Sequence, residues 1–344
     1  MEISFSTTIV GQDDDGQRRW DLDSYVRQCR LAEELGFTRA YKGERRAHGE
    51  HSGQHGVVNN AQLIAQYGLA NTERLKFSSG VVLLPLYHPV PVIQDATMIN
   101  AMYPGRYRLT VGAGYNQDDF DVFGIDLSER VVRMRHGLEA INAYREGREY
   151  VFPEDGPYRG HVPPPDPAMG NNFPEVFVGA WSPAGLRLAA LSDGWETGPI
   201  SSVQHLKAHA DIYREECAKL GKVGRVSILR EACIAPTDEE ARETLGPYVL
   251  DYHRIYYNRG NAYDERYEPW VKDIESSDDI TLDHILTNRV LCGSPETWIE
   301  TLREWKDLLQ PEEIILRLRY FHGPPLEVEM NAMKLIHNEV LPNL

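Results

Sequence analysis

The chain has 344 residues, with 52 acidic against 36 basic side chains and a formal net charge of -16. That excess argues against nucleic acid or an anionic membrane surface as a partner, and the length suits one large barrel or two ordinary domains. No apolar run is long enough to span a bilayer, no apolar signal region opens the chain, and Cys29, Cys217, Cys233 and Cys292 form no CxxC pair. The reading is a cytoplasmic protein with reduced, mostly buried thiols, without a disulfide framework or zinc site.

Strand and helix signals alternate almost from end to end. Ile3 to Thr8 reads as a strand, and Leu22, Tyr25, Val26, Cys29, Ala32 and Leu35 mark one face of a helix that Gly36 ends. Arg39 to Gly43 is a short strand and Ala61 to Leu69 a helix. Ser78 to Leu84 is a nearly unbroken apolar run, as a strand buried on both faces requires. Pro89 and Pro91 stop that run and open a helix carrying Val92, Ile93, Ala96 and Ile99. Arg106 to Gly112 alternates into a further strand. Val131 to Tyr144 is helical, Val176 to Gly179 a strand, and Pro183 to Leu191 and Val203 to Leu220 are helices. Val226 to Ile234 is a strand followed by an acidic helix from Thr237. Ser294 to Leu308, Glu313 to Leu318 and Glu327 to Val340 read as helix, strand and helix. About eight strand–helix units predict parallel pairing and a single closed (β/α)8 TIM barrel over residues 1–344, with a doubly wound sheet as the rival. Two stretches break the alternation. Gly156 to Pro174 is a proline-rich loop, and the Tyr-rich segment at 248–285 is an insertion, either a substrate lid or an oligomer contact.

In such a barrel the loops after the strands carry the site. Ser182-Pro183 follows the strand VFVGA and opens a helix: serine caps, proline suits the first position, and the free amides make an anion site. Gly112-Ala113-Gly114-Tyr115 ends a strand but lacks the third glycine of a dinucleotide fingerprint. Small residues there let an aromatic ring lie against the backbone. Glu44-Arg45-Arg46 ends another strand, and His48, His51 and His55 follow it among glycines. That histidine run points to a proton donor rather than a metal centre, because no regular element converges the ligands. The acidic run Asp118, Asp119, Asp121 reads as a solvated loop face without chemistry.

The ordered set Gly80-Val81, His88-Pro89, Gly105-Arg106-Tyr107, Gly112-x-Gly114, Phe123-Gly124 and Arg130 resembles the bacterial luciferase-like monooxygenases, flavin- or deazaflavin-dependent (β/α)8 barrels. The resemblance spans roughly Met1 to Leu220 and returns from Gly293 to Leu318. It implies reduced FMN, delivered by a separate flavin reductase and held by Gly80, Val81, Gly112, Ala113, Gly114, Arg130, Ala180, Trp181 and Ser182. The phosphate falls to Ser182 and Arg130, and a non-proline cis peptide at Gly80-Val81 lies behind the ring. Glu44, Arg45, His48, His51 and Tyr115 are the implied catalytic set. Many relatives carry histidine where Arg45 stands. An arginine there either stabilises an anionic flavin peroxide or belongs to a surface pair bound to Glu44 or Glu50. The implied reaction is oxygenation of a small, largely apolar substrate by O2 through a flavin peroxide, in a lid-bearing barrel that forms a homodimer. Its rivals are deazaflavin-dependent hydride transfer, a non-catalytic flavin-binding partner subunit and, last, a metal-dependent hydrolase.

Overall fold

The computed structural model describes every residue except 13–17, 48–57, 171, 259–262, 287 and 321–322. Eight parallel strands form a (β/α)8 TIM barrel: β1 (Glu2–Ser6), β2 (Arg39–Lys42), β3 (Lys76–Leu83), β4 (Tyr107–Gly112), β5 (Glu175–Gly179), β6 (Gly194–Glu196), β7 (Val226–Ile234) and β8 (Glu313–Arg317). The helices are α1 (Leu22–Glu34), α2 (Ala61–Ala70), α3 (Pro89–Met102), α4 (Arg130–Arg145), α5 (Pro183–Ala189), α6 (Val203–Lys219), α7 (Asp238–Asn258), α8 (Pro295–Leu309) and α9 (Leu326–Leu335). No described helix is long and apolar enough to cross a membrane.

The chain divides into two compact units. The first comprises Met1–Thr38, Thr197–Ile212 and Val226–Leu344, and the second Arg39–Glu196 and Tyr213–Arg225. In the second, β2 pairs with β3, β3 with β4, β4 with β5 and β5 with β6, all parallel. Every residue of β4 is buried, as a strand covered on both faces must be. The register between β3 and β4 shifts between Gly80 and Val82, an irregularity of the kind that re-aims backbone near sites.

Strand β6 has no counterpart in the sequence reading, because three residues are too few to show a period. Gly194, Trp195 and Glu196 are all buried. Gly194 is required by packing: a Cβ there would fall within the Phe177 ring, itself sandwiched against Arg108 at 3.9 Å. Gly194→Ala is expected to cost about 1–3 kcal/mol by overpacking. A urea melt of the variant checks this, and an unchanged midpoint would refute the packing account.

In the first unit β1 pairs with β8, β8 with β7, and β7 with a short strand Leu291–Gly293. Glu313, fully buried at the start of β8, accepts from Ser4 on β1 and from Ser227 on β7, the latter at 3.0 Å. A buried carboxylate needs such partners. Cys233 and Cys292, remote in sequence, are register partners on adjacent strands, and all four cysteines are free thiols.

The Tyr-rich segment differs from the expected loop. Tyr248 to Asn258 completes α7, and single turns at Pro269–Asp273 and Ser277–Asp279 and a short helix at Leu282–Leu286 follow. Its aromatic residues pack around Cys233, Val249, Ile280, Ile285, Val290 and Tyr320. Beneath them lies a buried polar chain. His253 Nε2 stands 2.6 Å from Glu231, its Nδ1 is 2.7 Å from Tyr263 Oη, and Arg289 pairs with Glu268 under the Tyr263 ring. The residues are aromatic because they form a core, and polar where that core encloses charges.

Candidate functional site

The second unit gathers most of the expected site residues at the carboxyl ends of its strands. Four glycines keep the backbone there bare of side chains. A Cβ at Gly112 would meet Val81 Cγ2 at 2.8 Å, one at Gly179 would meet Val81 Cγ1 at 2.7 Å, and one at Gly43 would meet the Gly80 carbonyl at 2.8 Å. A Cβ at Gly80 would meet Tyr41 Cδ1 at 2.7 Å and Glu196 Oε1 at 3.0 Å. The Gly80–Val81 peptide is cis, as the resemblance implies. Val81 thus seats its side chain on two neighbouring glycines, leaving a backbone ledge able to accept a flat ring. Gly114 has φ of +74°, and its α-carbon packs against Phe120.

Beside this ledge stand two exposed aromatics. Tyr115 and Trp181 meet edge to face, with centroids 5.2 Å apart, at 47% and 42% exposure. Their exposure is informative, since rings of this size are ordinarily buried. Ala180 anchors the Trp181 turn: its N–H donates to the Glu196 carbonyl at 3.3 Å, and its own carbonyl accepts from the buried Trp195 indole at 2.9 Å. Ser182 is the N-cap of α5, its Oγ accepting from the Gly185 N–H at 3.2 Å. Arg130 opens α4, and its Nη1 donates to the Leu127 carbonyl at 3.0 Å.

Arg45 is held by a residue the sequence reading set aside. Its Nη1 lies 2.8 Å from Asp119 Oδ2, and its guanidinium carbon is 6.0 Å from the Tyr115 centroid. Asp119, far from being a solvated loop residue, is only 2% exposed. Its Oδ1 accepts from the Arg46 and Ala47 N–H groups at 2.7 and 2.8 Å, and Asn116 approaches Oδ2 at 3.3 Å. Among the described residues Arg45 therefore pairs with Asp119 rather than Glu44, and its side chain is 14% exposed rather than on the surface. It is Arg46 that approaches Glu44, at 3.8 Å.

Glu44 is buried, with Oε2 accepting from the Leu83 N–H at 2.8 Å and Oε1 from the Tyr87 hydroxyl at 2.7 Å. Burial pushes its pKa above the usual carboxylate range, against the pull of those two hydrogen bonds. With both oxygens engaged, Glu44 ties the end of β2 to the end of β3. His48 and His51, expected as proton donors, lie outside the described residues with His55 and Glu50. His88 is structural: it caps α3 and bonds the Arg159 carbonyl at 3.0 Å.

Comparison with known proteins places this geometry. The family described as luciferase-like monooxygenase matches residues 1–310. The alkanal monooxygenase alpha chain of Photorhabdus laumondii is 31% identical over 341 residues, covering 93% of this chain and 91% of the relative. The oxygenase component of the flavin-dependent trigonelline monooxygenase of Acinetobacter baylyi is 21% identical, with 99% and 95% covered. Among solved structures, the oxygenating constituent of 3,6-diketocamphane monooxygenase from Pseudomonas putida, in complex with FMN, superimposes with a TM-score of 0.76 at 18% identity over 100% of this chain and 98% of that one. An F420-dependent secondary alcohol dehydrogenase in complex with an F420–acetone adduct gives 0.74 at 17% identity, with 99% and 98% covered. At such identities these two likenesses speak for the fold alone.

Proposed function

We propose, for a chain that belongs to the luciferase-like monooxygenase family, that it is the oxygenase of a two-component system, using reduced FMN and O2 to oxygenate a small, largely apolar organic substrate. The observation that carries the reading is the ledge of Gly43, Gly80, Gly112 and Gly179 around Val81, flanked by the exposed Tyr115–Trp181 pair. A side chain at any of those glycines would collide with Val81, the Gly80 carbonyl, Tyr41 or Glu196 and distort the ledge, and a bare, closely packed backbone of this kind fits an isoalloxazine. Gly80, Val81, Gly112, Ala113, Gly114, Ala180 and Trp181 would hold the ring system, with Ser182 and Arg130 toward the phosphate. Bound reduced FMN supplies the electrons that activate O2.

The remaining work belongs to this chain's own side chains. Arg45, fixed by Asp119, presents a positive charge at the carboxyl end of β2, where it would stabilise negative charge developing in the reaction. Glu44 positions the β2 and β3 ends rather than reaching the substrate. Tyr115 and Trp181 would shield the ring from water. A flavin reductase is the transient partner, in keeping with the relative named as an oxygenase component. We further take the chain to work as a cytoplasmic homodimer.

The test is an anaerobic titration of the apo-protein with reduced FMN and, in parallel, with reduced coenzyme F420, followed by O2. Saturable FMN binding and oxygen consumption, with binding weakened at least about tenfold in Gly112→Val while the fold persists by circular dichroism, is the expected result. Preference for F420 without oxygen consumption would move the reading to hydride transfer. Binding of neither would reduce the ledge to barrel packing.

A further inference from the structure

Helix α6 carries a pair of imidazoles with no part in the proposed oxygenase site. His205 and His209 are four residues apart and so share one face of the helix. Their Nε2 atoms face each other at 3.1 Å, with ring centroids 4.3 Å apart. The plane of His205 is fixed by Tyr267, stacked on it at 4.7 Å and 14°. His209 is 7% exposed. Burial lowers the pKa of both rings, that of His209 to about 4, with His205 adding to the effect on its neighbour.

We infer that His205 and His209 form a two-imidazole clamp for a divalent transition cation of the zinc, nickel or copper type. Imidazole nitrogens bind such metals at about 2.0–2.1 Å. Two nitrogens 3.1 Å apart then subtend about 95–100° at the ion by that bond length, between the square-planar and tetrahedral angles. The donor set selects borderline metals over magnesium or calcium, which prefer oxygen. Asp264 is the carboxylate that acts electrostatically on both rings, while the nearby cations Arg266 and Arg289 each have their own carboxylate, Asp264 and Glu268. Among the described residues no three His, Cys, Asp or Glu side chains converge as a closed metal centre. With two protein donors, water is expected to complete the coordination, as at an open rather than a closed structural site. A single proton shared between the rings would also account for 3.1 Å, and experiment separates the two.

Tag-free full-length protein, freed of metal by chelator, is titrated calorimetrically with NiCl2 and CuCl2. His48, His51 and His55 are replaced by glutamine in this background to silence the other histidine-rich segment. One saturable site per chain is expected, weakened by more than about tenfold in His205→Gln and in His209→Gln, with no response to MgCl2. The copper-loaded parent should show electron paramagnetic couplings to two imidazole nitrogens. Absence of a saturable site, or binding indifferent to both substitutions, overturns the inference. Should the variants fail to fold, the copper spectrum decides alone, and a spectrum without two-nitrogen coupling is the negative result. None of these readouts involves flavin, so they stand apart from the oxygenase reading.

Discussion

Replacing Asp119 by alanine is expected to cost about 3–5 kcal/mol of stability, the loss seen when one partner of a buried ion pair is removed. The magnitude follows from what is left behind. The Arg45 side chain is 14% exposed, and the Arg46 and Ala47 amides both lose their acceptor. Most of the cost is therefore that of an uncompensated buried cation and two orphaned donors. Two further variants sharpen the expectation. Asp119→Asn keeps one carbonyl oxygen for the amides and should recover part of the loss. Arg45→Ala combined with Asp119→Ala should be less destabilised than the sum of the single changes, because the stranded charge is gone. Urea denaturation of the parent, the two alanine single variants, Asp119→Asn and the double variant measures this. Strict additivity would show that Arg45 and Asp119 do not act as a pair. Turnover should fall in both single variants, since the guanidinium is then absent or unanchored.

The second large effect concerns pH. Glu329 on α9 is 1% exposed, and neither carboxyl oxygen has a hydrogen-bond partner among the described residues. Burial raises its pKa to about 8, with the Arg319 guanidinium only partly opposing. The unfolded chain releases this proton near an ordinary glutamate pKa of about 4.3, whereas the folded chain keeps it to about 8. Between those values the native state binds more protons than the unfolded state, so stability falls as pH rises. The slope is at most about 1.4 kcal/mol per pH unit, and the loss from pH 5 to pH 8 is roughly 3 kcal/mol. Glu329→Gln keeps the shape without the charge. It should be the more stable protein at pH 8, and the difference should vanish toward pH 5. Denaturation curves at pH 5, 6.5 and 8 provide the comparison, and parallel pH dependences in the two proteins would sink the assignment.

How much of this was legible in the sequence depends on the range of the interactions involved. Gly112 and Gly114 can be read because they close a strand, whereas Gly80, inside β3, is marked only by the family resemblance. Ser182-Pro183 is legible for the same reason, since a cap and a first-turn proline are neighbours in sequence. Asp119 is not legible: its partner Arg45 is 74 positions away, and an acidic run beside a turn looks solvated until the fold brings a cation to it. Glu196 escapes for a related reason, as β6 is only three residues long and its contact with Gly80 is tertiary. The Tyr-rich segment misleads in the opposite sense. Tyr248, Tyr252 and Tyr256 fall at helical spacing, but the rest shows no period, because its aromatics join one core in which His253 meets Glu231 and Arg289 meets Glu268. The nearness of Cys233 to Cys292 is likewise a matter of strand register, which no spacing in the chain records.

The pairing of β1 with β8 also has a consequence in time. Ser4 meets Glu313 across 309 positions, so a nascent chain emerging at about 5–20 residues per second presents its first strand roughly 15–60 s before the partner strand exists. The second unit, complete by Arg225, has all its segments well before then. Throughout that interval Ile3 and Phe5, both buried in the finished protein, sit on an unpaired edge of the kind that invites association between ribosome-bound copies. Synthesis, rather than the mature fold, is where this architecture is most exposed to misassembly.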